Sequence, residues 1–287
     1  MSIAYVNGRY VDKAWASVSI EDRGYQFSDG VYEVIAVHNG ALIDGDGHFE
    51  RLFRSLGGLN ISIPWSEKIL RIVMGEVIRR NRLRNGSIYL QITRGAATRN
   101  HAFPQLGTRP SLVVTATASR GLSGATPRGV GVITVPENRW GRPDIKSVSL
   151  LPNVLAKEEA VRAGCFEAWF INDAGDVTEG SSSNCWIVDE AGKVITRPLG
   201  QDILGGITRA RVMELARNNN IRIEERVFSR EEAVGAAEAF VTSTTAAVMP
   251  VVAIDGERIG DGEPGPVTTR LWTLYREYLE DVSHGGE

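Results

Sequence analysis

Cysteine is scarce in this chain of 287 residues. Cys165 and Cys185 are the two cysteines, and neither lies in a CxxC motif or beside a histidine. Two thiols cannot build a disulfide framework, and their spacing is not typical of a zinc site. We expect two reduced thiols and a cytoplasmic location.

The sequence also lacks an excess of charge of either sign. It has 32 lysines and arginines against 35 aspartates and glutamates, which gives a net charge of −3. This balance argues against the basic surface that nucleic acids and anionic membranes attract. No apolar run approaches the roughly 18 residues of a membrane span, and the first residues lack a basic segment followed by an apolar one. We expect no membrane helix and no signal peptide.

Glycine-rich nucleotide motifs are absent as well, and lysine is rare. Neither GxxxxGK[ST] nor GxGxxG occurs in the chain. Only five of the 32 basic residues are lysines. Chemistry that needs a lysine amine therefore has few candidates: Lys13, Lys68, Lys146, Lys157 and Lys193.

Turn and capping signals predict strands and helices that alternate irregularly. The pair Asn7-Gly8 stands between two short apolar runs, as in a two-residue hairpin turn. Asp46 and Ser66 are candidate caps of two helices. Many hairpins mixed with helices favour an α+β fold over a doubly wound parallel sheet.

One segment, residues 120–129, is rich in glycine and small polar residues and is typical of a linker. It divides the chain into a predicted N-terminal α/β domain, residues 1–119, and a predicted C-terminal domain, residues 130–287.

Lys146 is a candidate for covalent chemistry. Apolar residues alternate from 145 to 151, which predicts a strand. A lysine that projects into a cavity can lose its proton and form a Schiff base with an aldehyde cofactor. An ordinary solvated lysine is the alternative, and this segment alone favours it.

Three further sites carry more polar groups than a fold requires. Glu179 precedes a run of small polar residues that could enclose its carboxylate or simply form a turn. The glycines at 205–206 precede a predicted helix, where backbone N–H groups can bind an anion, although a plain turn is the alternative that this pair alone favours. The hydroxyls of 243–245 offer similar donors. Arg99 and His101 could hold a carboxylate or belong to a solvated loop.

Six segments follow one another along the chain: 27–33 (FSDGVYE), 48–52 (HFERL), 146–153 (KSVSLLPN), 178–184 (TEGSSSN), 205–209 (GGITR) and 243–245 (STT). Their order and spacing resemble the fold-type IV pyridoxal-phosphate enzymes, the group of D-amino acid and branched-chain aminotransferases. The resemblance implies a small N-terminal α/β domain, a larger barrel-like C-terminal α/β domain, a cofactor at the domain interface and a homodimer.

The resemblance also implies roles for single residues. Lys146 would bind pyridoxal 5'-phosphate and later move the substrate proton. Glu179 would pair with the pyridine nitrogen, so that the ring can accept electrons. The implied phosphate site consists of Arg51, the amides of Ile207 and Thr208, and the side chains of Thr244 and Thr245.

Substrate choice depends on a third set of residues. Arg99 and His101, with Tyr32, resemble the carboxylate-binding group of D-amino acid aminotransferases, where the arginine and histidine come from the partner subunit. Holding the α-carboxylate there selects the D enantiomer. Arg94 and Arg139 are candidates for a second carboxylate, as in D-glutamate or 2-oxoglutarate.

The implied activity is the transfer of an amino group from D-alanine or D-glutamate to 2-oxoglutarate or pyruvate. Three alternatives share the fold: an L-branched-chain aminotransferase, an aminodeoxychorismate lyase and an (R)-amine transaminase. A cofactor carrier without catalysis is an alternative of a different class.

Overall fold

The computed structural model describes residues 2–104, 107–119 and 127–284. Contacts between Cα atoms divide the chain into two units. The first unit consists of Met1–Leu122, Ile145–Ser149 and Asp281–Glu287, and the second of Ser123–Asp144 and Leu150–Glu280. Most of the predicted linker, 120–126, lies outside the described residues, so the predicted domain boundaries stay a prediction.

The first unit contains an antiparallel sheet of six strands. Its elements are β1 (Ile3–Val6), β2 (Arg9–Asp12), α1 (Arg23–Phe27), β3 (Gly30–His38), β4 (Ala41–Leu42), α2 (Gly45–Gly58), α3 (Glu67–Asn81), β5 (Gly86–Thr93) and β6 (Ser111–Ala118). The strand order is β2-β1-β6-β5-β3-β4.

The predicted hairpin turn at Asn7-Gly8 is confirmed. Both residues have positive φ, 46° and 95°, in the region that asparagine and glycine tolerate best. Ser66 occupies the N-cap position of α3, as predicted, but its side chain forms no capping hydrogen bond. The prediction for Asp46 is wrong, because α2 already begins at Gly45 with Asp44 at the N-cap, and Asp46 lies inside its first turn.

The core of the first unit lies between the sheet and the two longer helices. Apolar side chains of α2 and α3 pack against the alternate residues of β3, β5 and β6 that point towards them. The fully buried members include Val31, Ile35, Phe49, Leu52, Leu70, Met74, Ile88, Leu90, Leu112 and Val114.

The second unit is built on a mixed sheet of nine strands. Its elements are β7 (Val130–Pro136), α4 (Leu151–Arg162), β8 (Glu167–Ile171), β9 (Val177–Gly180), β10 (Asn184–Val188), β11 (Val194–Thr196), α5 (Ile207–Asn218), β12 (Ile223–Glu225), α6 (Arg230–Val234), β13 (Glu238–Ser243), β14 (Ala247–Ile254), β15 (Glu257–Arg258) and α7 (Pro266–His284). The order is β12-β11-β10-β13-β14-β7-β8-β9, and β15 pairs with β14.

Several strands of this sheet are buried on both faces. All residues of β9 and β10 are buried, and so are the first residues of β8 and β13. The indole ring of Trp186 in β10 stacks on Phe240 in β13 with 5.3 Å between centroids, and its Nε1 donates to Thr242 Oγ1 at 2.9 Å. Polar residues at the ends of such strands are therefore held rigidly.

The irregular mixture of strands and helices confirms the predicted α+β class. Cys165 is half-buried and Cys185 is buried, and both are free thiols. Burial raises the pKa of the Cys185 thiol. Within the described ranges no helix has the length and hydrophobicity needed to cross a bilayer.

Candidate active site

Lys146 lies in the segment Ile145–Ser149, which is bonded to β3. Tyr32 N donates to Lys146 O at 3.0 Å, and Lys146 N donates to Ser55 Oγ at 3.2 Å. The predicted strand over 145–151 is wrong, because only Ser147 forms a bridge, with Val31, and the chain enters α4 at residue 151. One bridge nevertheless fixes the backbone that carries the lysine.

The Lys146 amine faces an aromatic ring. Its Nζ lies 4.4 Å from the centroid of the Tyr32 ring, which stacks on Tyr89 at 5.6 Å. Tyr89 donates its hydroxyl to Gln91 Oε1 at 2.6 Å, and burial together with Tyr32 raises the pKa of Tyr89 to about 12. The structure therefore brings together Lys146 and Tyr32, which were both predicted to serve one site.

Arg51 forms a buried ion pair that the sequence analysis did not predict. Its Nε and Nη2 donate to the two carboxylate oxygens of Glu33 at 2.8 and 2.6 Å, and His48 Nδ1 lies 2.8 Å from Glu33 Oε2. Glu33 is 1% exposed. The signal was present in the sequence, because Glu33 occupies the same alternate positions of β3 as the buried Val31 and Ile35.

The protonation of this cluster follows from its charges. Burial alone would raise the pKa of Glu33, but the charge and hydrogen bonds of Arg51 and His48 lower it to about 2. Burial lowers the pKa of His48. Arg51 is thus held in place by an ionised carboxylate.

Arg99 and His101 are exposed neighbours on the loop after β5. Both lie beside the ring of Phe27: the Arg99 guanidinium carbon is 5.0 Å from the ring centroid, and the His101 ring centroid is 5.3 Å away. The structure therefore brings together the two side chains that were predicted to hold a carboxylate.

Arg94 and Arg139 are both paired with carboxylates of the protein. Arg94 donates through Nε and Nη2 to Asp29 at 2.8 and 3.0 Å. Arg139, of which 4% is exposed, is paired with Glu137 and Glu179. This does not fit the expectation that the two arginines bind a second substrate carboxylate.

Glu179 lies near the end of β9 and is buried. Its carboxylate accepts hydrogen bonds from Arg139, from Asn184 Nδ2 at 3.1 Å and from Leu204 N at 3.1 and 3.2 Å. Glu179 is therefore a buried carboxylate with a cationic partner.

Glu137 is the other partner of Arg139. Burial would raise the pKa of Glu137, but hydrogen bonds from Arg139 and Thr178 lower it.

The serines after Glu179 bind a second buried glutamate. Ser182 and Ser183 donate to Glu167 Oε2 at 2.9 and 3.0 Å, and Ser181 donates to Oε1. The sequence pattern left open whether these serines enclose Glu179 or form a turn, and it did not indicate Glu167, which lies on β8, the strand next to β9. The serine turn is fixed by this carboxylate.

The N-terminus of α5 lies close to Asn184. A Cβ atom on Gly206, the N-cap, would be 2.0 Å from Asn184 Oδ1, so the asparagine or the helix would have to move to admit a side chain there. Asn184 stands opposite Thr242 in the β10–β13 register, and the turn with Thr244 and Thr245 follows β13.

Ile207 and Thr208 begin α5, and Thr208 is buried. The first amides of a helix carry partial positive charge and suit an anion. Ile207 and Thr208 follow Gly206, which contacts Asn184 at the start of β10, and Thr244 and Thr245 follow the end of β13, which pairs with β10 there. The residues of the second unit that were predicted to bind phosphate therefore belong to segments that meet at one end of the β10–β13 pair.

Comparison with known families decides the classification. The family described as "Amino-transferase class IV" matches residues 30–254 of the chain. The chain belongs to the class IV aminotransferases. It is therefore an aminotransferase, and the family resemblance predicted from the sequence is confirmed.

Relatives of this class IV aminotransferase match over nearly the whole chain. It is 42% identical over 273 residues to the D-alanine aminotransferase of Bacillus licheniformis, covering 95% of each chain. It is 40% identical to that of Staphylococcus haemolyticus, covering 99% of this chain and 100% of the other.

Solved structures confirm the fold. The branched-chain amino acid aminotransferase from Escherichia coli matches with a TM-score of 0.87 and 25% identity. The branched-chain aminotransferase from Thermoproteus uzoniensis, solved with norvaline, matches with a TM-score of 0.82 and 28% identity. Each match covers 97% of this chain and 94% of the other. The predicted fold-type IV class is therefore confirmed.

Membership of the class IV aminotransferases implies pyridoxal phosphate, and the donor set fits its functional groups. The buried Glu179 carboxylate suits a protonated pyridine nitrogen, and the Lys146 amine suits an aldehyde. The first amides of α5, next to the N-cap Gly206, carry the partial positive charge that suits a phosphate.

Proposed function

We propose that this chain is a pyridoxal-phosphate-dependent D-amino acid:2-oxo acid aminotransferase. Its substrates would be amino acids such as D-alanine and D-glutamate, with 2-oxoglutarate or pyruvate as the acceptor. The relatives named D-alanine aminotransferase support this choice, because their identity of 42% and 40% exceeds the 28% to the Thermoproteus branched-chain enzyme.

The observation that carries the proposal is the loop with Arg99 and His101. Two exposed donors beside one aromatic ring can hold a carboxylate through several hydrogen bonds at once. A substrate held by its α-carboxylate has one fixed Cα–H direction, so only one enantiomer presents its proton to a base. Tyr32, which contacts Lys146 Nζ, would complete this carboxylate site.

The remaining residues would hold the cofactor and move protons. When bound, pyridoxal phosphate supplies an electron sink that stabilises a carbanion at the substrate Cα. Lys146 Nζ would accept the proton from the substrate Cα and deliver it to C4′ of the cofactor. Glu179, fixed by Arg139 and Asn184, would hold the pyridine nitrogen protonated.

The phosphate group would be bound by a helix terminus and hydroxyl groups. The amides of Ile207 and Thr208 would donate to it, together with Thr244 and Thr245. Arg51 would supply positive charge, and its bonds to Glu33 would keep the guanidinium in one orientation.

A homodimer is part of the proposal. The resemblance places the arginine and histidine of the carboxylate site on the partner subunit, and closed two-fold symmetry would give two identical sites. The exposure of Arg99 and His101 in one chain supports this arrangement.

A half-reaction tests the proposed substrate. The enzyme loaded with pyridoxal phosphate is mixed separately with D-alanine, L-leucine and buffer, and its visible absorption band is followed. We expect the band to disappear with D-alanine only, and we expect Lys146→Ala to show neither this band nor turnover. Disappearance with L-leucine only would refute D-specificity but keep the family, and no change with any amino acid would contradict transamination itself.

A further inference from the structure

One buried arginine holds the loop that carries Arg99 and His101. The guanidinium of Arg23 donates to three successive backbone carbonyls of this loop, those of Asn100 at 2.6 Å, His101 at 3.4 Å and Ala102 at 3.3 Å. Arg23 is only 3% exposed. A buried, planar group with several donors is well suited to fixing a segment that has no regular secondary structure.

Hydrogen bonds hold both the side chain and the backbone of Arg23 in place. Its Nε donates to Asp29 Oδ2 at 2.8 Å, and its backbone N donates to Gly95 O at 2.9 Å. Asp22, the N-cap of α1, accepts from Gly24 N at 2.8 Å and from Thr93 Oγ1 at 2.9 Å. The helix that presents Arg23 is thereby joined to the end of β5.

Close packing between α1 and β5 also holds Arg23 in place. A Cβ atom on Gly24 would lie 2.2 Å from Thr93 Cγ2, so the helix approaches the strand as closely as glycine permits. Phe27, at the other end of α1, has its ring centroid 4.8 Å from the Arg23 guanidinium carbon and also faces Arg99 and His101. One short helix therefore supplies both the ring and the donor that the loop contacts.

We propose that Arg23 is a positioning residue for the substrate carboxylate. Its hydrogen bonds to the loop go to main-chain carbonyls, so it sets where Arg99 and His101 stand without touching the substrate. This inference rests on the proposed function, in which these two side chains bind the α-carboxylate. Two donors that converge on one carboxylate lose much of their effect when their spacing changes by about an ångström.

Arg23→Lys separates positioning from charge. Lysine keeps the positive charge beside Asp29, but its single ammonium cannot reproduce the spread of donors that reach Asp29 and three carbonyls. Arg23→Gln is the second variant, in case the lysine finds a new arrangement. Both are studied as the enzyme loaded with pyridoxal phosphate.

Arg94→Gln is a matched control. Arg94 also donates to Asp29, and to two carbonyls of a different loop, those of Leu59 at 2.7 Å and Asn60 at 2.9 Å. Its guanidinium carbon also lies 3.8 Å from the ring centroid of Phe103, which follows His101 in the loop. Removing Arg94 therefore loses a similar number of hydrogen bonds and this ring contact, but leaves the carbonyls of 100–102 bonded to Arg23.

The readouts are the kcat and KM for D-alanine and the ratio of half-reaction rates with D- and L-alanine. For Arg23→Lys we expect KM to rise at least about tenfold, as for the loss of one charge-assisted contact. We expect kcat to stay within about twofold, because Lys146 is untouched. The preference for D-alanine should fall as KM rises, whereas Arg94→Gln, which keeps the hydrogen bonds of Arg23 to the loop, should change both quantities less than Arg23→Lys does.

Other outcomes would overturn the inference. An unchanged KM and enantiomer ratio in both Arg23 variants would show that the loop is positioned without Arg23. Equal effects of Arg94→Gln and Arg23→Lys would show a general loss of structure instead of a positioning role.

Arg99→Gln, measured beside these variants, separates the two proposals. If Arg99→Gln leaves the KM for D-alanine unchanged, the proposed carboxylate site itself fails. If Arg99→Gln raises KM while both Arg23 variants leave it unchanged, only the positioning role of Arg23 fails.

Discussion

Glu33 is a charged residue on the buried face of β3, where apolar side chains are expected. An isolated buried carboxylate would be strongly unfavourable, so its ionised form depends on Arg51 and His48. Removing one member of a buried ion pair leaves the other charge buried without a partner. This is more destabilising than replacing both residues by apolar ones. The cluster therefore couples the stability of the first unit to pH.

Glu33→Gln should lower the free energy of unfolding at pH 7 by about 3–5 kcal/mol, the usual effect of breaking a buried pair. The pKa of Glu33 is lowered from 4.5 to about 2, so its stabilisation is complete above pH 4.5 and is lost as the pH falls towards 2. Urea unfolding is followed by circular dichroism at several pH values. The difference in the free energy of unfolding between wild type and variant should decrease below about pH 4.5.

Glu76→Gln provides the control for that experiment. The hydrogen bonds of Arg79 and Arg80 also lower the pKa of Glu76 to about 2, but these residues form surface pairs on α3. Surface pairs contribute little to stability. If Glu33→Gln lowers the free energy of unfolding as little as Glu76→Gln does, the buried cluster does not stabilise the fold.

At the scale of elements, the N-terminus of α5 depends on the absence of one side chain. Gly206 lies against Asn184, whose amide donates to Glu179 Oε2 at 3.1 Å and to Leu204 O at 2.9 Å. The same contact therefore sets the position of the helix amides and the orientation of the Glu179 carboxylate.

Gly206→Ala should weaken the binding of pyridoxal phosphate. The new methyl group would lie 2.0 Å from Asn184 Oδ1, so the asparagine or the helix must move. We expect the dissociation constant, measured by titrating the cofactor-free protein, to rise at least about tenfold, corresponding to about 1.4 kcal/mol.

Gly75→Ala is the matched glycine control. Gly75 lies in α3 with open space around its missing Cβ, so alanine should stabilise the helix by about 0.5–1 kcal/mol and leave cofactor binding unchanged. Unaltered cofactor affinity in Gly206→Ala would contradict the role of this helix terminus.

The limits of sequence-based prediction are clearest at this scale. Turn chemistry predicted the hairpin at Asn7-Gly8, because the preference for positive φ is local. Alternation over 145–151 predicted a strand that does not exist, since pairing depends on a partner that periodicity does not identify. The pairing of Arg139 with Glu179 could not be predicted, because the two residues are distant in sequence and meet only through the fold.

Family motifs reached further than local patterns. They singled out Lys146 and Tyr32, which lie together, and Arg99 and His101, which share the ring of Phe27. They did not reveal the roles of Glu33 and Glu167, whose carboxylates hold other side chains in place.

At the scale of the whole molecule, the proposed homodimer implies sites shared between chains. Co-expression of Lys146→Ala with Arg99→Ala tests this sharing at a low concentration of D-alanine. If the Arg99 of one subunit serves the Lys146 of the other, a mixed dimer contains one intact site, and random assembly should restore about a quarter of the wild-type activity.

Each variant alone sets the baseline for this mixture. Activity equal to the sum of the separately expressed variants would show that Arg99 and Lys146 act within one chain or that no dimer forms. Sedimentation of the purified mixture distinguishes these two explanations.

The segment Ile145–Ser149 has a consequence for the order of synthesis. Its backbone bonds to β3, at Gly30 and Tyr32, join parts of the first unit that are far apart in the chain. A ribosome that has released only the first six strands has not yet supplied the segment that carries the reactive lysine. The first unit can therefore be completed only after part of the second unit has been synthesised. A gene truncated at residues 120–126 would lack the segment Ile145–Ser149 and would not encode a complete first unit.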